Sequence, residues 1–371
     1  MKIKYTAPCL DYSGYGEAGR HDVIALLSVG VDVSIELTRH CLELADFGEL
    51  GQLIESLSGK ESKGSKIKIL HTTPNIYGKF IEPGKYHIGR VFWETSKLPK
   101  DFARGCMMVD EIWTGSKYNE QAIRNSGVPE SIPIKIIPEV INPLVVEPFQ
   151  CEQIEDKYSF YSIFEWTERK NPTALLEAYF REFEGQDDVI LVIKTYVDNF
   201  SADKKREIFE AIKKVKKKLG LKSYPEVKLL LRLLDRDQIY RFHKTFDCFV
   251  SAHRGEGWGI PQMEALSQAK PVISTNCGGI HEHISDVAKL VNYTTVPLSQ
   301  NSRNQQWYTN DQNWADIDLG ALRVAMRWAY ENQEEAKRMG HAGKLAVEDR
   351  FSPKRVGQMM LDRLEEIEKT L

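Results

Sequence analysis

The stretch Ser251–Leu266, SAHRGEGWGIPQMEAL, constrains the fold more than any other part of this 371-residue chain. It lies between two apolar runs, CFVSA (248–252) and PVIST (271–275), which read as buried strands, so the order is strand, glycine-rich loop, helix, strand. Gly255, Gly257 and Gly259 let the backbone bend sharply and approach a ligand closely, and Pro261 suits a first helical position. Glu264 then falls one turn inside the helix. Helical side chains lean toward the N-terminus, so its carboxylate is expected to point back at the loop that carries Glu256. The two acids should flank one small volume, in a unit whose ligands bind at the carboxyl ends of the strands. The plain alternative is a first-turn glutamate stabilised by the helix dipole and a second one solvated in a glycine loop.

The same alternation runs through the chain. IKYTA, VDVSIEL, KIKILHT (66–72), HIGRVFWE (87–94), DEIWTGS (110–116) and IKIIPEV (134–140) are strand candidates in the first half, with a helix over Glu17–Ser28 closed by Gly30. After Pro148 a second series begins with KYSFYSIF (157–164), DVILVIKT (188–195) and EVKLLLR (226–232), followed by CFVSA and PVIST. Such alternation predicts α/β architecture with parallel sheets and helices on their faces. At about 150 residues per domain the length predicts two domains, with the hinge in the polar stretch Asn142–Asp156. A net charge of −3 gives no global attraction to nucleic acid. The six cysteines, Cys9, Cys41, Cys106, Cys151, Cys248 and Cys277, lack paired spacing and read as reduced core thiols. With no signal-peptide core and no apolar run near 18 residues, a cytoplasmic location is expected.

Helix signals sharpen the second series. Asn171-Pro172 reads as a cap followed by a first-turn proline, with Leu175, Leu176, Tyr179 and Phe180 as the buried stripe. Ser201–Leu219 places Ile208, Ile212, Val215 and Leu219 on one face and ends at Gly220. The lysines of that helix, over 204–218, form a solvated face or, as the sharper reading, a peripheral contact with the anionic inner face of a membrane. Val296–Asp318, rich in Asn, Gln and Ser, is either a surface loop or a lid, and the ordinary loop is favoured. Ser352–Leu371 is an amphipathic helix with Val356, Met359, Met360, Leu364 and Ile367 apolar. Asp235-Arg236-Asp237 spells a D-x-D string, but it precedes a helical pattern, so capping by aspartate is the better reading and no metal is expected.

Gly14-Tyr15-Gly16-Glu17-Ala18-Gly19 is a literal G-x-G-x-x-G, with Glu36 ending the next strand. Pro8–Ser13 intervene between the strand and the first glycine, which weakens a dinucleotide reading. A loop whose N–H groups meet donor phosphates or an acceptor is the alternative.

EGWGIPQMEALSQAKPVIST resembles the E-x7-E signature of retaining nucleotide-sugar glycosyltransferases of family 4, which have the GT-B fold. The resemblance implies two Rossmann-like domains facing across a cleft: 1–148 on the acceptor side, 149–350 binding the nucleotide sugar, and 351–371 as a helix crossing back to the N-terminal domain. It implies that Glu256 contacts hydroxyls of the transferred sugar and Glu264 the ribose diol. Arg169-Lys170, in EWTERKNP, matches the family's phosphate-binding motif, with Lys170 at the lysine position. Gly278 and Gly279, in NCGGIHEHI, resemble its glycine pair, and with Gly257, Gly259, Gly14 and Gly16 they would approach the donor. Two positions depart from the pattern. Phe164 stands where the family has an arginine, so a second cation must come from elsewhere; Arg254 is the candidate, with Arg232 and Lys194 behind it. Glu94, in FWETS, stands where a histidine is common, which suggests that it holds a hydroxyl or acts near the acceptor; His71 reads as structural.

The expected activity is transfer of a hexose from a UDP- or GDP-sugar to a hydroxyl of a saccharide or lipid-linked glycan, with no cofactor beyond the donor. A sugar-nucleotide epimerase would keep the fold and donor site but need no acceptor. A noncatalytic glycan- or nucleotide-binding subunit would not need Glu256, Glu264 and Lys170 together. A glycoside hydrolase wants its acids across one bond, one of them with a raised pKa.

Overall fold

The structure is a computed structural model and describes residues 1–39, 47–150, 156–197, 199–300, 302 and 306–371. The chain divides into two compact units: Met1–Asn142 with Arg303–Gln312 and Glu348–Leu371, and Pro143–Ser302 with Asn313–Val347.

In the first unit the chain runs β1 (Lys2–Ala7), α1 (Gly14–Ser28), β2 (Asp32–Leu37), α2 (Glu49–Ser58), β3 (Ile67–Leu70), β4 (Tyr86–Arg90), α3 (Lys100–Cys106), β5 (Glu111–Thr114), α4 (Lys117–Asn125) and β6 (Ile134–Ile136). All neighbouring strands are parallel, in the order β2-β1-β3-β4-β5-β6. Parallel strands covered on both faces need continuous apolar runs, and Ile3, Tyr5, Val33, Ile35, Ile67, Ile69 and Ile88 are buried. The strand order reverses between β1 and β3. Helix α1 starts earlier than its apolar periodicity suggests, because Ser13 caps it and its Oγ accepts the Gly16 N–H at 3.0 Å. Gly14 and Gly16 therefore sit in the first turn of α1 rather than in a loop before it. A Cβ on Gly16 would lie 2.4 Å from the Asp11 carbonyl oxygen, so packing alone demands glycine there.

A buried charge network, invisible as a pattern in the sequence, ties this unit together. Arg90 is fully buried; its Nε donates to Asp22 Oδ2 at 2.9 Å, and its other nitrogens donate to the carbonyls of Ile137 and Pro138. Tyr5 Oη donates to Asp22 Oδ2 at 2.9 Å and lies 2.7 Å from His71 Nδ1, so His71 is part of the core framework. A buried guanidinium is tolerable only when its donors are taken up in this way.

In the second unit β7 (Tyr158–Glu165), α5 (Pro172–Glu182), β8 (Val189–Tyr196), α6 (Ala202–Leu219), β9 (Glu226–Leu230), α7 (Arg236–Thr245), β10 (Cys248–Ser251), α8 (Ile260–Ser267), β11 (Val272–Thr275), α9 (His281–Ile284) and β12 (Lys289–Val291) repeat the architecture. The sheet is parallel, ordered β12-β11-β10-β7-β8-β9, and its order reverses between β7 and β10. Asn171, in the left-handed region at φ 53°, caps α5, and Ser201 and Gly220 bound α6. Asp235 closes a capping box with Gln238 at the start of α7. On α6, Lys204, Lys213 and Lys218 pair with Glu207, Glu210 and Glu177. No helix among the described residues is long and apolar enough to cross a membrane.

Val296–Asp318 is not the ordinary loop expected. β13 (Tyr293–Pro297) and β14 (Asn313–Ile317) form an antiparallel pair. Between them Trp307 and Tyr308 pack on Phe102 and Trp93 of the first unit's core, with ring centroids 4.8 and 6.2 Å apart. The polar composition hid these two aromatic anchors. Helices α10 (Leu319–Glu331) and α11 (Gln333–Phe351) follow. Cys9, Cys106, Cys248 and Cys277 are buried thiols that form no disulfide; Cys41 and Cys151 lie outside the described residues.

The last helix, α12 (Pro353–Glu368), belongs to the first unit and packs against α1. Val356, Met360, Leu364 and Ile367 enter the core that holds Val23 and Leu26, and Arg363 Nη2 lies 2.5 Å from the buried Glu111 Oε2 on β5. At the helix crossing, a Cβ on Gly357 would sit 2.3 Å from the Ala25 carbonyl oxygen. Replacing Gly357 by alanine is expected to force the helices apart and cost about 1–3 kcal/mol, read as a lower thermal midpoint with native-like circular dichroism at room temperature.

Candidate active site

In a parallel sheet the natural ligand position lies beyond the carboxyl ends of the strands where the order reverses, which in the second unit is the β7/β10 pair. β7 runs into a short turn, Glu168–Lys170, and β10 runs into the loop His253–Gly259. The Arg254 N–H donates to the Arg169 carbonyl at 2.7 Å and joins the two loops. Arg169 Nη1 donates to the Gly255 carbonyl at 2.8 Å and stands 3.8 Å from Glu256 Oε1. Lys170 Nζ donates to Glu256 Oε2. Glu168 accepts from the hydroxyls of Ser299 and Ser302 at 2.6 and 2.7 Å, which anchors the turn.

A third loop closes the group. Gly279 N–H donates to the Glu256 carbonyl at 3.1 Å, and Ile280 N–H to that of Trp258 at 2.9 Å. Gly278 has φ 105°, and a Cβ there would lie 2.5 Å from the Glu256 carbonyl oxygen. Gly259 has φ 115° and would clash with Ile280 in the same way. Both glycines are thus fixed by backbone geometry as well as by close approach. Gly257 is half-buried.

Burial works against the charged form of Glu256, but Lys170 and then Arg169 outweigh it and hold the carboxyl down at about 2. Two cations thus face the Glu256 carboxylate. His253 is buried beneath it; Nε2 donates to the Cys277 carbonyl at 2.7 Å, while Nδ1 lies 3.0 Å from Ser251 Oγ. Burial pushes its pKa down to about 4. His253 therefore serves as a neutral brace between the loops after β10 and β11, a role that no spacing in the sequence announces.

Glu264 lies one turn inside α8, as the proline and glycine spacing predicts, and is buried. Its Oε1 accepts from Arg236 Nη2 at 2.5 Å, and its Oε2 lies 3.3 Å from His243 Nε2. Arg236 and His243, both on α7, were not read as site residues.

Arg254, expected as the second cation, is committed elsewhere. Its Nη1 pairs with Asp316 Oδ1 at 2.5 Å and its guanidinium lies over Trp314, so it ties the loop to β14. Beside Lys170, the second cation near Glu256 is its neighbour Arg169. Phe164 is buried in the apolar core. Lys194 is buried on β8 beside Tyr196 and Phe200, and Arg232 is exposed. In the first unit, Glu94 Oε1 accepts from Tyr308 Oη at 2.9 Å. Among the described residues no group of three His, Cys, Asp or Glu side chains could hold a metal ion.

Two Rossmann-like units of this kind define the GT-B fold. Solved structures with it include sucrose-phosphate synthase from Thermosynechococcus elongatus (TM-score 0.70, 14% identity, 100% of both chains covered). Another is Anabaena HepE in complex with UDP-glucose (0.65, 14%, 99% of this chain and 100% of that one). A third is the E. coli trehalose-6-phosphate structure bound with UDP-2-fluoro glucose (0.67, 11%, 98% and 99%). Residues 147–295, which include Arg169, Lys170, Glu256 and Glu264, match the family model of the glycosyl transferases group 1. No curated protein matches the chain.

His253 stays neutral in the fold down to about pH 4, whereas an unfolded histidine protonates near 6.5. Its contribution to stability is complete above 6.5 and falls as the pH drops toward 4, where the folded form protonates too. The His253→Gln variant is expected to show a flatter thermal midpoint between pH 6.5 and 4 than the wild type, measured by scanning calorimetry across that range.

Proposed function

We propose that the protein is a retaining, metal-independent glycosyltransferase that moves a hexose from a UDP- or GDP-sugar to a hydroxyl of a saccharide or lipid-linked glycan. The observation that carries this reading is the Arg169/Lys170/Glu256 cluster at the β7/β10 reversal, inside the segment matched to the glycosyl transferases group 1. Breaking the bond between the anomeric carbon and the diphosphate leaves negative charge on the departing phosphate oxygen. Preorganised cations and N–H groups lower that barrier most. Lys170 and Arg169 supply the positive charge, which removes the need for a divalent ion.

In this reading the diphosphate competes with Glu256 for Lys170. The carboxylate so released accepts hydrogen bonds from hydroxyls of the transferred sugar, and Glu264 accepts from the ribose diol, for which a two-oxygen acceptor is well suited. Gly278 and Gly279 bring backbone close to the donor. The departing phosphate oxygen takes the acceptor proton on the same face of the sugar, so no separate base is required. Glu94, steadied by Tyr308, is assigned to an acceptor hydroxyl. HepE and the E. coli structure carry UDP-sugars, which makes UDP-glucose the first donor to test.

The test is release of free nucleotide from UDP- and GDP-sugars, with and without added saccharide acceptors, in the presence of EDTA. Release that depends on acceptor supports the transferase; conversion of the donor into an isomeric sugar nucleotide without acceptor supports an epimerase, and no turnover of any sugar nucleotide supports a binding subunit. Glu256→Gln is expected to lower kcat by about a hundredfold with little change in donor KM, as for loss of a transition-state contact. Glu264→Ala is expected mainly to raise donor KM. Wild-type kinetics in both variants would overturn the site assignment.

A further inference from the structure

The cluster at the β7/β10 reversal accounts for Glu256 but leaves a second buried polar chain unexplained. Tyr161 on β7, His243 on α7 and Glu264 on α8 form a line in which Tyr161 Oη is 3.0 Å from His243 Nδ1 and His243 Nε2 is 3.3 Å from Glu264 Oε2. All three side chains are almost completely buried, and the Tyr161 ring is caged by Phe242, Phe246 and Phe249. Burying an imidazole and a phenol in an aromatic cage costs free energy that a leucine and a phenylalanine would not.

We infer that His243 is a positioning residue that, fixed in one tautomer by Tyr161, turns Glu264 toward the nucleotide of the donor. The inference rests on the reading of Glu264 as the ribose ligand. A carboxylate only accepts hydrogen bonds, so Nε2 of His243 carries the proton and Nδ1 accepts from the tyrosine hydroxyl. Burial keeps the imidazole neutral against the pull of Glu264. Arg236 and His243 are seven residues apart, hence on one face of α7, and they grip the two oxygens of the carboxylate separately: Arg236 from the half-exposed side, His243 from within. The capping box at Asp235 fixes the start of the helix that carries both. Held at both oxygens by these two donors, the Glu264 carboxylate has a fixed orientation.

The test is calorimetric binding of UDP, GDP, ADP and dTDP, with steady-state kinetics on the matching sugar nucleotide, for the full chain and five variants. His243→Leu removes the donor to Glu264 and is expected to weaken nucleotide binding about tenfold and raise donor KM by the same factor, with kcat within about twofold. His243→Gln, which keeps an N–H donor, is expected to recover most of that loss. Tyr161→Phe, which frees the imidazole tautomer while keeping the ring, is expected to fall between the wild type and His243→Leu. Glu264→Ala and Lys170→Ala serve as references, and circular dichroism and thermal midpoints show which variants are folded. If Glu264→Ala weakens binding while folded His243→Leu and Tyr161→Phe bind like wild type, the positioning role is wrong and the donor-site reading stands. If glutamine rescues no better than leucine, His243 acts only as packing. If Glu264→Ala binds like wild type, or no nucleotide binds at all, both readings fall.

Discussion

The second unit is organised around one electrostatic arrangement: two cations, Lys170 and Arg169, set against the carboxylate of Glu256 where the strand order reverses. The cations come from one loop and the carboxylate from another, so the arrangement exists only if β7 and β10 are neighbours. The loops are coupled directly, through the Arg254 N–H bonded to Arg169 and the Arg169 side chain bonded to the Gly255 carbonyl. The third loop joins through Gly278 and Gly279 against the Glu256 backbone. These main-chain hydrogen bonds hold the cluster in one geometry. Preorganisation of that kind is what stabilising a departing diphosphate requires.

The same logic explains the supporting residues. His253 and His243 are both buried, both held neutral by burial, and both placed so that Nε2 faces an oxygen acceptor, a backbone carbonyl in one case and Glu264 in the other. Arg254 holds the loop against β14 through its ion pair with Asp316. In the first unit, Arg90 and Asp22 play an equivalent structural part and join α1, β4 and the chain after β6.

Much of this was legible in the chain because the relevant signals are local. Strand periodicity gave the alternation, and caps at Asn171, Ser201 and Asp235 marked helix starts that the structure keeps. Pro261 and the glycines around it placed Glu264 correctly within its helix. What could not be read depends on partners far apart in sequence. Nothing near Arg254 announces Asp316, 62 residues away. His243 and Glu264 are 21 residues apart on different helices, and Tyr161 is a further strand away. The 296–318 segment misled because composition averages over a stretch, whereas two side chains, Trp307 and Tyr308, decide where it packs.

The account stands or falls on whether Lys170 is held in readiness for a diphosphate. The most direct measurement compares calorimetric affinities of UDP and GDP with those of uridine and guanosine, in the wild type and in Lys170→Ala. The account predicts that one diphosphate binds at least about tenfold more tightly than its nucleoside, and that the alanine variant removes most of the difference. Equal affinities for diphosphate and nucleoside, or a gap untouched by Lys170→Ala, would contradict it.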